Sequence, residues 1–240
     1  MADQTGTSGS SAGGDCLGVV MLDTTFPRPP GDVGNARSYD YPVAFAVAEG
    51  AGPVDVVREQ EVAIEPFADA ARTLVDRGAV AITTSCGFLL SHQDLLSEQV
   101  PEVPVFTSSL LQIPVVASML APDERIGVIS ADEQALDRLD HPVLDEYADR
   151  LVVGGLSDGD SFQATIVEES APTLDREAVG EEVVAAAEAV VDRGHVGAIL
   201  FECTNLRPYV DEVRAGTGLP VFDYLTFADM AWRAGRGTRQ

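Results

Sequence analysis

Cys86 and Cys203 are the two residues whose surroundings point most directly to chemistry. Each ends an apolar run and opens a polar turn, in AVAITTSCGF and VGAILFECTN. A thiol in that setting lies past the carboxyl end of a strand and at the start of a helix, where open α/β sheets gather their ligands. Free backbone N–H groups and the positive end of the helix dipole would lower its pKa below the free value of about 8.5, so it could exchange a proton near neutrality. If one thiolate removes a proton from a carbon and the opposite thiol returns one to the other face, the centre inverts without a cofactor. The same helix N-termini could hold a substrate carboxylate and the charge that develops beside it. Cys16 has no counterpart and reads as structural, since a lone free cysteine is usually a buried, inert hydrophobe.

The elements that must position these thiols occur twice. LVDRG, an apolar run and VPVF recur as VVDRG, an apolar run and LPVF, and Gly78 to Pro104 spans the same 26 residues as Gly194 to Pro220. In each unit, apolar residues at three- and four-residue steps predict a helix that ends on the glycine, and the uninterrupted apolar run predicts a parallel strand covered on both faces. A second helix and a short strand carrying PVF follow. Further strands are expected at 17–22, 125–130 and 151–153, and a returning helix at 224–234. The fold class is α/β: two similar lobes of parallel sheet flanked by helices, related by a pseudo-two-fold. Residues 17–120 with 223–240 form the lobe carrying Cys86, 121–222 the lobe carrying Cys203, and 1–16 a disordered tail rich in Gly and Ser.

Composition excludes several function classes. Acidic residues number 39 against 15 basic ones, for a net charge of −24, and every basic residue is an arginine. Without lysine, the chain can form no pyridoxal phosphate Schiff base and no Walker A phosphate loop. So acidic a surface disfavours nucleic acid and anionic membranes, and it fits a solubility adaptation such as high salt. The first residues lack the basic and apolar regions of a signal peptide, and no apolar run nears the roughly 20 residues of a bilayer span. A cytoplasmic protein with free thiols is expected. His92, His141 and His195 lie far apart, so no metal site is expected, and no serine-hydrolase elbow occurs.

Other polar residues join the candidate site by position. Thr84, Ser85 and Gly87 surround the first cysteine, and Thr204 and Asn205 follow the second. Thr107 and Ser108, with Ser109, follow the first PVF strand. All the hydroxyl residues could equally serve as helix caps. In the Pro/Gly-rich loop MLDTTFPRPPGDVGN, Asp23 could orient a thiol or an ammonium group or be a solvated turn residue. Arg28 and Arg37 could meet a carboxylate, and Gly31 and Gly34 permit tight turns.

TTSCGF and ECTN, carried by two repeated lobes, resemble the aspartate/glutamate racemase superfamily, which includes hydantoin racemases, maleate isomerases and arylmalonate decarboxylases. The resemblance covers nearly the whole chain after the tail. It implies a two-lobed, cofactor-independent enzyme with Cys86 and Cys203 as catalytic pair, Asp23-Thr24 in the place of the Asp-Ser after the first strand, and Thr204 in the Cys-Thr of the second site. Amino-acid racemases usually follow the first cysteine with Asn-Thr, where this chain has Gly87 and Phe88. After Cys-Thr, glutamate enzymes tend to carry His and aspartate enzymes Glu, where this chain has Asn205. Neither amino acid is thereby supported, and Phe88 would suit a less polar or cyclic ligand. The expected function is a racemase or epimerase acting beside a carboxylate or carbonyl, on a small carboxylic acid or cyclic amide of the amino-acid or hydantoin type. The alternatives are a decarboxylase or cis-trans isomerase of a small dicarboxylate, and a non-catalytic small-acid-binding protein; the lack of a C-x-x-C lowers a redox role. The superfamily is often dimeric, which makes a homodimer compatible with the resemblance.

Overall fold

In the computed structural model, residues 14–59 and 62–238 are described. Of the expected tail, residues 1–13 lie outside the described residues, and strand β1 (Cys16–Leu22) begins one residue inside the segment read as tail. The first sheet holds β1, β2 (Val43–Ala48), β3 (Ala79–Thr84) and β4 (Val105–Phe106) in the order 2-1-3-4. The second holds β5 (Arg125–Ser130), β6 (Leu151–Gly155), β7 (Val196–Phe201) and β8 (Val221–Phe222) in the order 6-5-7-8. Every pairing is parallel, and the two orders are the same topology repeated.

The repetition extends to detail. The β1–β3 register breaks at Cys16/Leu17, and the β5–β7 register breaks at Arg125/Ile126, the same place in the second lobe. Gly78 and Gly194 both adopt positive φ, 98° and 85°, as helix-ending glycines do. The second repeat has one more residue between that glycine and its cysteine, and it is accommodated at His195, a non-glycine residue at φ 57°. His195 then supplies the carbonyl that accepts from Arg125 N–H, as Gly78 does for Cys16 N–H.

Burial explains why these segments form. The helix Glu65–Asp76 turns Phe67, Ala68, Ala71 and Leu74 inward, and Arg176–Asp192 does the same with Val179, Val183, Ala187 and Val190, both at helical spacing. Asp175 caps the latter, its side chain accepting from Ala178 N–H. One apolar cluster runs through both lobes and carries the inner faces of β3, β5 and β7. A smaller one joins Leu17, Val19, Met21, Ala81 and Phe106 to Tyr224 and Ala228 of the C-terminal helix Tyr224–Gly235, so that helix returns to the first sheet. Among the described residues, no helix is long and apolar enough to cross a membrane, and no group of three or more His, Cys, Asp or Glu side chains is placed to hold a metal ion.

Candidate active site

Cys86 and Cys203 are each the residue that caps the helical turns after β3 and β7, with extended backbone and only 8% exposure. Both line one cavity between the lobes, together with Thr24, Phe26, Arg28, Ser85, Gly87, Phe88, Ile166, Glu202 and Asn205. The paired thiols therefore open on a common space.

Their ionisation departs from the sequence expectation. Backbone N–H groups of Phe88 and Asn205 do pull the respective thiols down, as helix N-termini should. Burial is the larger effect, with the Glu202 carboxylate second, and it pushes both thiols well above their ordinary range. That direction favours the protonated form of both sulfurs. They are not equivalent: Cys203 Sγ donates to Asn205 Oδ1 at 3.5 Å, while the Arg28 charge acts on Cys86 in the lowering direction.

A charged chain runs from Cys203 into the first lobe. Asn205 Nδ2 donates to Asp32 Oδ2 at 2.7 Å, Arg28 pairs with Asp32 Oδ1 at 2.8 Å, and Arg28 also donates to Thr24 Oγ1 at 2.8 Å. The guanidinium lies 4.3 Å from the centre of the Phe26 ring. These contacts fix Arg28 at the cavity wall while spending two of its five N–H donors. The loop that carries them is clasped by the other lobe: Thr25 N–H, Thr25 Oγ1 at 3.0 Å and Phe26 N–H at 3.1 Å all donate to Glu169 Oε1.

Glu202 is the residue that sequence reasoning missed. It is fully buried, and its Oε2 accepts from the Ser130 hydroxyl at 2.9 Å and Ala131 N–H at 3.4 Å. Its Oε1 has no hydrogen-bond partner among the described residues. Burial raises its carboxyl to about 7. The available signal was a carboxylate directly after the apolar run VGAILF, where a buried position was already expected. Asp32, 1% exposed within the Pro/Gly-rich loop, was passed over for a similar reason, since PPGDVGN reads as a solvated turn.

Of the residues expected from sequence, Thr24, Ser85, Gly87 and Asn205 join the two cysteines at the cavity. The rest are placed elsewhere. Asp23 is exposed and accepts from Gly50 N–H at 3.1 Å, the turn role. Thr84 donates to the Thr107 carbonyl at 2.6 Å, which ties β3 to the end of β4, and Thr107 donates through N–H and hydroxyl to Gln93 Oε1 at the start of the helix Gln93–Gln99. Ser108 caps the turn after β4, its hydroxyl accepting from Leu110 N–H. Thr204 reaches across to the Ser85 carbonyl at 2.7 Å and holds the lobes together. Arg37 is exposed on a surface turn, its N–H donating to Asn35 Oδ1 at 2.9 Å.

No protein-family model matches the chain. It is 34% identical over 223 residues to a dimethylsulfoniopropionate lyase of Durusdinium sp. clade D, a match covering 89% of this chain and 72% of that protein. The chain belongs to the dimethylsulfoniopropionate lyase family. It is also 33% identical over 222 residues to dimethylsulfoniopropionate lyase 7 of Emiliania huxleyi, covering 88% of this chain and 64% of the relative. The chain spans under two thirds of the length of that relative and of two further lyases from the same alga. Among solved structures, unliganded arylmalonate decarboxylase superposes with a TM-score of 0.56 at 17% identity, covering 93% of this chain and 94% of that one. Allantoin racemase from Pseudomonas fluorescens does so with a TM-score of 0.54 at 18% identity over the same shares. The chain thus has the fold of the aspartate/glutamate racemase superfamily, as the sequence motifs implied. These curated relatives are named as lyases, and elimination from a sulfonio acid was not among the reactions expected from the motifs.

Proposed function

We propose that this chain is a lyase that eliminates dimethyl sulfide from dimethylsulfoniopropionate or a closely similar sulfonio carboxylate. Such a substrate is a small zwitterion with a carboxylate at one end and a sulfonium at the other. The observation that carries the reading is the content of the one cavity: two thiols, the Arg28 guanidinium and the buried Glu202 carboxylate. A cation and an anion of the protein stand ready for the two charges of the ligand, and the thiols stand ready for the proton between them.

In the proposed step, one thiolate takes a proton from the carbon next to the carboxylate. The electron pair left behind forms the carbon–carbon double bond, and the carbon–sulfur pair departs with neutral dimethyl sulfide, leaving acrylate. The proton on the thiol then returns to solvent. Arg28 would bind the carboxylate and offset the charge that builds on it as the proton leaves. The sulfonium would also assist ionisation: a cation entering the cavity opposes the burial that disfavours both thiolates. A neutral thioether acid could not do this.

The test is incubation of the purified chain with dimethylsulfoniopropionate, with headspace detection of dimethyl sulfide and chromatography of acrylate. Both products should appear together, and absence of both at millimolar substrate refutes the proposal. Cys86→Ser and Cys203→Ser separate it from racemisation. A two-base racemase loses inversion with either change, whereas elimination should fall by about 10² or more only for the thiol that is the base.

A further inference from the structure

The two lobes perform the same backbone duty with different residues. In the first, Ser85 N–H donates to the Val20 carbonyl at 2.9 Å, and Ser85 Oγ accepts from Leu22 N–H at 2.8 Å. In the second, Glu202 N–H donates to the Ile129 carbonyl at 2.9 Å, and Glu202 Oε2 accepts from Ala131 N–H. Each residue directly precedes its cysteine. A serine therefore satisfies the strand end, and Oε1 of Glu202 exceeds that need. Glu202 lines the cavity, and its Oε1 is fully buried and without a partner among the described residues. The opposite wall makes room for it, because a Cβ built on Gly87 would overlap Glu202 Oε1 and the Glu202 carbonyl oxygen.

An unpartnered carboxylate oxygen in a dry space is costly unless a cation meets it or a proton neutralises it. We infer that Glu202 is the specificity-determining residue for an onium centre, a sulfonium or quaternary ammonium, with Oε1 facing the positive group of the ligand. This rests on the lyase reading and adds what selects the leaving group. Glu202 is faced by Ser130 and Ala131 at the end of β5, by Cys86 after β3 and by Cys203 on its own strand end; Asp132 acts on it at longer range, and Arg28 across the cavity is held by Asp32. Of these, no cation lies against Oε1, which leaves that place to the ligand. Burial raises the Glu202 carboxyl to about 7, which favours its protonated form below neutrality, and a bound onium would draw it into the ionised form.

The experiment compares two inert probes of one shape, 3-(trimethylammonio)propanoate, with a cationic head, and 4,4-dimethylpentanoate, the carboxylate with a neutral tert-butyl head, by titration calorimetry on the full chain. The unsubstituted protein should prefer the cationic probe by roughly thirtyfold or more, the scale of a desolvated charge pair. At pH 6 its binding should release close to one proton, read from buffers of different ionisation heat, while the neutral-headed probe releases none. Glu202→Gln, which keeps an oxygen for Ser130 and Ala131, should bring the preference near unity, with a melting curve confirming that it folds. An unchanged preference in Glu202→Gln overturns the inference, as does equal proton release for both probes in the unsubstituted protein, a reading that needs no variant. The outcome is separable from the lyase proposal: onium selection without dimethyl sulfide release sinks only the reaction, and release with no dependence of selection on Glu202 sinks only this assignment.

Discussion

Replacing Glu202 by Gln should change how stability depends on pH, by an amount that follows from burial. The folded carboxyl titrates at about 7 against 4.5 for the exposed group, because desolvation outweighs its bonds from Ser130 and Ala131. Between those values the folded state keeps a proton that the unfolded chain has released, so stability falls as pH rises. The contribution is fully present below 4.5 and lost as pH passes through about 7. A displacement of two to three pH units at a little over 1 kcal/mol each amounts to about 3 kcal/mol, most of which falls between pH 5 and pH 8.5. Urea unfolding of both proteins at pH 5, 6, 7 and 8.5 isolates it, since carboxylates away from the cavity cancel in the difference and burial, the larger cause, keeps both thiols raised in either protein. The Gln variant should gain on the parent by that amount across the range. Parallel stability curves would mean that Glu202 stays ionised in the folded state, with a partner for Oε1, and the argument from its orphaned oxygen would fail.

Two further perturbations probe the cavity walls. Gly87→Ala should destabilise by about 1–3 kcal/mol and abolish turnover, because the added methyl displaces the Glu202 carboxyl; a variant that melts and turns over like the parent would show the space is not tight. Glu169→Ala removes the acceptor shared by Thr25 and Phe26, and Glu169 holds it from a strained φ of 50°. Turnover per KM should fall roughly tenfold with little change in melting temperature, because the loop carrying Phe26 and Arg28 is released while the core is untouched; equal kinetics would show that the clasp is dispensable.

Most of the scaffold was legible because its strands are buried on both faces. β3, β5 and β7 are unbroken apolar runs, and the duplicated DRG and PVF segments set their order and the placement of the cysteines. β2 was not foreseen: it is an edge strand, half-exposed along most of its length and rich in alanine, which has weak strand preference. At the site, spacing could place a residue at a strand end but could not tell which way its side chain turns. Thr84 and Ser85 are neighbours, yet one is spent on bracing β4 and the other opens on the cavity. The thiol pKa was misjudged because the helix-terminus effect is local and visible in sequence, whereas desolvation depends on what the second lobe places over the first.

The broken symmetry of the repeat bears on the reaction. Inversion of a carbon treats its two faces alike, and a duplicated scaffold with matched thiols suits it. Elimination is directional: a proton is taken from one carbon and a cationic group leaves the next. The cavity has acquired that direction at few positions. Where one lobe keeps Ser85, the other has Glu202; where one keeps Thr204, which bonds to the Ser85 carbonyl, the other has Gly87, whose missing side chain admits the Glu202 carboxyl. Arg28 enters from the first-lobe loop, held by Asp32 and Thr24. An anion from the second lobe and a cation from the first thus give the space two unlike ends, with both thiols opening between the lobes that supply them. Under the proposed reaction, carbon–sulfur cleavage needs no fold other than this one, only charges of opposite sign on the two sides of its pair of thiols.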